Sequence, residues 1–419
     1  MKRTIRRSVA WLFVSTTLHA YSVLSHEAII DSAWDADIRP TLLKRFPNAT
    51  PEELNRAHAH AYGGCIIQDM GYYPFGSRYF SELAHYVRSG DFLVNLLKDA
   101  QTLDEYAFAL GALAHYAADR WGHSVAVNRA VPMQYPKLAQ KFGPVVTYAD
   151  DKASHLKVEF AFDVLQVARG SYAPQAYHDF IGFDTSPDVL RRAFFDTYGI
   201  KLDHVFSDLD LSLSTYRHTV SVLIPRATRV AWDMKKDEFL KAQPTMTRQK
   251  FVYNLSRAGY RKEWKDRYQS PGARTKFWGF VIRILPKVGP LKALAFKAPT
   301  PQTEPLFEAS FNRTLGEYRR LLAEQRDGQL KLENRDFDTG EPTRPGEYPL
   351  ADEAYAKLAR ELAEKKPMPD NRLLVRDLLD FFKDLNQPFA TKKHSKEWRE
   401  TVAAVEKLRS AARSAGAAE

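Results

Sequence analysis

Cysteine is almost missing from this chain: Cys65 is the only one among 419 residues. One thiol rules out an intramolecular disulfide and a cysteine-built zinc site. Long apolar runs are missing too. Ser8 to Leu18 is a short apolar stretch, and no other segment reaches the roughly 18 uninterrupted apolar residues of a spanning helix. Strand-like alternation is scarce, and there is no internal repeat or low-complexity tract. What remains is a globular composition, 44% hydrophobic and 27% charged, long enough for two or three domains of ordinary size. Without disulfides, an exported chain of this kind draws its stability from packing or from metal.

The charge is uneven. The formal net value is +10, which favours anionic partners. Residues 241–300 hold fourteen Lys and Arg against two acidic residues, so the rest of the chain is slightly acidic. Within that stretch Phe277, Trp278, Phe280, Arg283 and Lys287 mix rings and cations, and Lys292, Leu294, Phe296 and Lys297 continue the pattern. Such a segment suits an anionic membrane surface, a nucleic-acid backbone, or a solvated basic face packed on the core.

The N-terminus reads as a signal peptide over 1–20. Lys2, Arg3, Arg6 and Arg7 form the basic region, the apolar stretch follows, and Leu18-His19-Ala20 offers a cleavage site. The expectation is a secreted or periplasmic protein whose mature chain starts at Tyr21.

Helical patterning dominates the remainder. Thr102 and Glu105 form a capping box opening a helix to about Trp121. Asp150 or Asp151 caps another that stops at Gly170. Helical patterns follow near 187–197, 208–240, 304–327, 350–366, 370–385 and 394–413. Residues 333–349, with three prolines and two glycines, read as a loop or linker. The expected fold is all-α, with a core domain over 21–235 and a basic helical C-terminal region over 236–419.

Seven of the twelve histidines lie between His26 and His155. Two have an acid one helical turn on: His115-x3-Asp119 and His155-x3-Glu159. Residues four apart share a helix face, so both side chains can reach one ion. Their neighbours are apolar or small, and polar groups in such surroundings need partners. His123 extends the first stripe if the helix lasts that long. His58 and His60, two apart, cannot share a face and read as surface or capping residues. Trp121 reads as core; Tyr72 and Tyr73 either line a cleft or pack inside. His178, His204, His218 and His394 have no partner pattern.

The ordered set Tyr21, His26, Asp69, His85, His115-x3-Asp119, His123, His155-x3-Glu159 resembles the zinc-dependent phospholipases C and the related fungal single-strand nucleases. The resemblance spans roughly residues 21–235. It implies an all-helical fold and up to three Zn2+ ions. Asp69, His85, His115 and Asp119 would hold one ion. Asp119 would bridge to a second, held also by His26 and by the amine and carbonyl of residue 21. His123, His155 and Glu159 would hold the third. The Tyr21–His26 spacing follows the nuclease branch, while Glu159 follows the phospholipase branch. Three features depart from the pattern: only three residues separate Asp119 from His123 where the family usually has five, Gln68 stands where proline commonly precedes the aspartate, and Met70 and Glu82 replace the aromatic residues of a choline pocket.

The resemblance implies hydrolysis of phosphodiester bonds with zinc-activated water, Asp69 orienting or deprotonating that water while it also ligates. Phospholipid is the expected substrate. A single-stranded nucleic acid is the alternative within the same architecture, and a non-catalytic, zinc-stabilised membrane- or anion-binding protein is the alternative outside it.

Overall fold

The computed structural model describes residues 23–168, 182–220, 224, 296–365 and 371–416. Its longer helices are α1 (Val23–Ala33), α2 (Pro51–Gly64), α3 (Arg78–Tyr86), α4 (Ser89–Asp99), α5 (Leu103–Trp121), α6 (Lys152–Ala168), α7 (Pro187–Tyr198), α8 (Leu209–His218), α9 (Glu304–Arg326), α10 (Pro349–Glu364), α11 (Arg372–Phe381) and α12 (Ser395–Gly416). The described residues contain no strand, and one isolated bridge joins Arg335 to Pro342. The all-α expectation holds. The helix at 208–240 is described only as far as α8 and the few residues after it, and residues 1–22 and 225–295 lie outside the described set.

Helix α5 is the axis of the fold. Its capping box is formed: the Glu105 amide donates to Thr102 Oγ1 at 3.2 Å, and Glu105 accepts from the Thr102 amide at 3.4 Å. Alanines and Gly111 line it, which lets α2 come to backbone contact. A Cβ on Gly111 would run into the Ala61 carbonyl, and one on Gly64 into that of Phe108. At α6 the cap is Asp151, whose carboxylate accepts from the Ser154 amide at 2.8 Å.

After Trp121 the chain does not continue as α-helix. Gly122–Val127 is a π-helical turn, and the short helix Asn128–Gln134 follows. Trp121 is half-buried, with the Arg120 and Arg313 guanidinium groups over its ring.

The C-terminal helices pack on the same core. The Tyr318 hydroxyl of α9 donates to the Leu110 carbonyl at 2.9 Å, and Phe307 stacks on Phe162 at 5.0 Å. One buried apolar cluster runs from Val23 to Leu408. Residues 333–349 are irregular, as expected, yet not a solvated linker: Asp336, Phe337 and Asp338 are buried. One residue of the basic stretch is inside: Phe296 packs on the Phe160 ring at 5.4 Å, while Lys297 is exposed and donates to the Gln134 carbonyl at 2.7 Å. The rest of the basic stretch up to 295 lies outside the described residues.

Candidate metal centre

Five histidines and three carboxylates converge at the middle of the fold. His26 comes from α1, Asp69 from the 3-10 turn Ile67–Tyr72, His85 from α3, and His115 and Asp119 from α5. His123 comes from the π-helical turn, and His155 and Glu159 from α6. None of the eight is more than 3% exposed. Tyr21, the ninth residue of the expected set, lies outside the described residues. Helix α1 is set by Asp163, which accepts from the Leu24 and Ser25 amides at 2.9 and 3.1 Å.

Asp119 is central. Its Oδ1 lies 3.6 Å from His26 Nε2, and its Oδ2 lies 3.0 Å from His115 Nε2 and 3.4 Å from His85 Nε2. Asp69 Oδ1 stands 3.2 Å from His85 Nε2. The ligand atoms fall into three groups of mutual proximity: His26, Asp69 and His115; His85, His115 and Asp119; His123, His155 and Glu159. Asp69 is thus grouped with His26 as well as standing beside His85.

The outer nitrogens of the imidazoles are tied down, which turns the inner ones toward the cluster. His85 Nδ1 meets the Ser81 carbonyl at 2.8 Å, and His115 Nδ1 meets the Cys65 carbonyl at 3.0 Å. A carbonyl only accepts, so each Nδ1 carries the hydrogen and each Nε2 presents a lone pair inward. His155 is held the other way round. The Asn128 amide donates to the Asp338 carbonyl at 2.7 Å, so its oxygen accepts from His155 Nε2 at 2.8 Å. That leaves His155 Nδ1 facing Glu159, 2.6 Å away.

Burial pushes His26 down to about 3, with the neighbouring His115 adding to the effect. Burial also lowers His123 and His155, the latter strongly, and lifts Glu159 well above the usual carboxylate range. His85 is the exception. Burial opposes its charge, but the Asp119 and Asp69 carboxylates beside it overcome that and raise it to about 10. Asp119, despite burial, is held well below the carboxylate range by His115 and His85.

The donor set fits zinc. Neutral imidazole and carboxylate are zinc ligands, and sets of three leave a position open. Several inward atoms carry no hydrogen bond among the described residues: His115 Nε2, both Asp119 oxygens, His123 Nε2 and both Glu159 oxygens. Buried polar atoms left in that state are costly unless an ion or water takes them up.

Other expectations divide. Tyr72 stands 6.0 Å from the His85 ring, beside the centre, while Tyr73 packs on Tyr216 in the core. His58 and His60 are not surface residues. His58 stacks on Trp34 and meets Asp31 at 2.9 Å, and His60 meets Ser186 Oγ at 2.9 Å. His204, His218 and His394 are exposed, and His178 lies outside the described residues. Met70 is core and Glu82 pairs with Arg78 at 2.7 Å.

Four residues at or beside the centre were not picked out from sequence: Asn128, Asp163, Phe337 and Asp338. Asp163 had a signal, since His155, Glu159 and Asp163 repeat at the same spacing on α6. Phe337 and Asp338 had none, because they reach the centre only through the chain's return, and Asn128, five residues after His123, stands in no pattern that singles it out.

An all-helical protein enclosing a cluster of histidines and carboxylates suited to several divalent ions defines the class. Residues 25–208, a little under half of the chain, match the family model for zinc-dependent phospholipase C. The match takes in every described residue of the expected ligand set and ends well before Asp338. No curated protein and no solved structure gives a match.

Proposed function

We propose that this chain is an exported, zinc-dependent phosphodiester hydrolase of the phospholipase C type. The observation that carries the reading is the burial of His26, His85, His115, His123 and His155 around Asp69, Asp119 and Glu159. His26, Asp69, His85, His115 and Asp119 would hold zinc at one part of the centre, and His123, His155 and Glu159 would hold it at the other. Bound zinc supplies Lewis-acid polarisation of the phosphoryl oxygens and acidifies water toward neutral pH.

The protein's own groups do the rest. Asp69 accepts the proton as the water oxygen bonds to phosphorus, and the bond from phosphorus to the leaving alkoxide breaks. The carbonyls of Ser81 and Cys65 hold His85 and His115 in their ligand tautomers, so no reorganisation accompanies the step. Export fits a free α-amine at residue 21 after cleavage behind Ala20, ahead of the α1 start that Asp163 fixes.

The test is hydrolysis by the mature protein of phospholipid vesicles and of single-stranded nucleic acid, each with and without chelator. Chelator-sensitive release of headgroup phosphate is expected. Cleavage of nucleic acid alone moves the substrate to the nuclease branch, and inactivity on both with zinc bound overturns the enzyme reading.

A further inference from the structure

The segment 333–340 comes from well beyond the family-matched stretch and runs through the wall of the centre. It is pinned along its length. The Ser89 hydroxyl donates to the Arg335 carbonyl at 2.7 Å and accepts from the Arg335 amide at 2.8 Å. The Phe337 amide donates to the His85 carbonyl at 3.2 Å, and the Phe337 ring packs on His85 and His115 at 5.4 and 6.0 Å. At Gly340, with φ +77°, a Cβ would press on the Arg120 carbonyl, so only glycine lets the chain turn back here.

This segment delivers Asp338, which is fully buried. Its Oδ2 is occupied by two hydroxyls, accepting from Tyr86 at 2.8 Å and from Tyr348. Its Oδ1 carries no hydrogen bond among the described residues and stands 3.8 Å from His123 Nε2, which carries none either. The Asp338 carbonyl holds Asn128, and Asn128 holds His155. One residue therefore touches both histidines of the third ligand group, one directly and one through an amide.

A buried carboxylate oxygen and a buried imidazole nitrogen that face each other, neither with a hydrogen-bond partner among the described residues, suit a shared metal ion. Two ligands of one tetrahedral zinc lie about 3.3 Å apart at ordinary bond lengths, a few tenths of an ångström less than the observed gap. Most buried polar atoms find a hydrogen-bond partner, and this oxygen has none among the described residues. The short Asp119–His123 spacing and the π-helical turn also set His123 Nε2 between two carboxylates, 4.0 Å from Asp119 Oδ2 on its other side.

We propose that Asp338 is a further ligand of the zinc held by His123, supplied by the C-terminal region from outside the family-matched stretch. Tyr86 and Tyr348 are its positioning residues. The inference rests on the zinc reading above. It makes the stretch 25–208 insufficient on its own to build the third site.

The test uses the full mature chain and reads zinc, not activity. Zinc content is measured by elemental analysis after dialysis, and retention by competition with a graded chelator, for wild type, D338N and Y348F. Asp338→Asn keeps an oxygen for the tyrosines and removes the charge. It should lower the zinc content by one ion per chain, or weaken the most labile ion about 10- to 100-fold. Y348F keeps the carboxylate but loosens it, and should weaken the same ion by a smaller factor. Should D338N not fold, Y348F carries the test. Wild-type zinc content and chelator midpoint in the folded variants overturn the inference. A wild-type chain that binds no zinc overturns the function proposed above instead.

Discussion

At the scale of single residues, the centre depends on which nitrogen of each imidazole is free. Asn128 makes that choice for His155, because its amide hydrogens are engaged by the Asp338 carbonyl. Replacing Asn128 with Ala should release the His155 ring and weaken zinc binding about 10- to 100-fold, measured by chelator competition. Asp119→Asn removes the charge shared by His26, His85 and His115, and should cut phosphodiester hydrolysis by about two orders of magnitude or more. Full activity in that variant would end the enzyme reading. His26 gives a pH prediction for the metal-free protein. Its value falls from 6.5 unfolded to about 3 folded. The unfolded chain takes up the proton first, so the folded state loses stability as pH falls from 6.5 toward 3. Chelator-treated wild type should therefore lose melting temperature more steeply across that window than His26→Gln, and parallel profiles would refute the assignment. His26 and Asp119 were legible in the sequence through the ordered set that carries the family resemblance. Asn128 was not, since nothing along the chain reveals that its amide joins a strap more than 200 residues away.

At the scale of elements, α5 was the most legible part of the fold. Its capping box, its small-residue face and its end near Trp121 are all written in consecutive residues, and each has the form read from them. The π-helical turn after it was not legible. It arises where helical propensity yields to the geometry of the centre, and π-turns of this kind commonly sit at functional sites. The α2–α5 contact is the element on which ligand spacing rests, since the Cys65 carbonyl at its end holds His115. Gly111→Ala would force the two backbones apart and should cost about 1–3 kcal/mol by denaturant unfolding, with weaker zinc retention. Unchanged stability would mean the helices separate without strain.

At the scale of the whole molecule, the core does not stop at the family-matched stretch. Helix α9 lies along α5 and the π-helical turn, and the strap at 333–340 returns to the site. Metal and fold are therefore linked: removing zinc should lower the melting temperature by about 5 °C or more, restored by zinc and not by magnesium. A chain whose melting ignores chelator would contradict a zinc-filled centre. Among the described residues no helix is long and apolar enough to cross a membrane.

The sequence alone determined the helical class and the capping of α5, because periodicity and capping are short-range properties of the chain, and the order of eight of the clustered side chains carried the family resemblance. Only the tertiary structure decided that residues read as a linker form part of the centre's wall, that His58 and His60 are internal, and that Asp338 faces His123. Those facts depend on where distant segments meet, and burial in three dimensions has no signature in the order of residues along one.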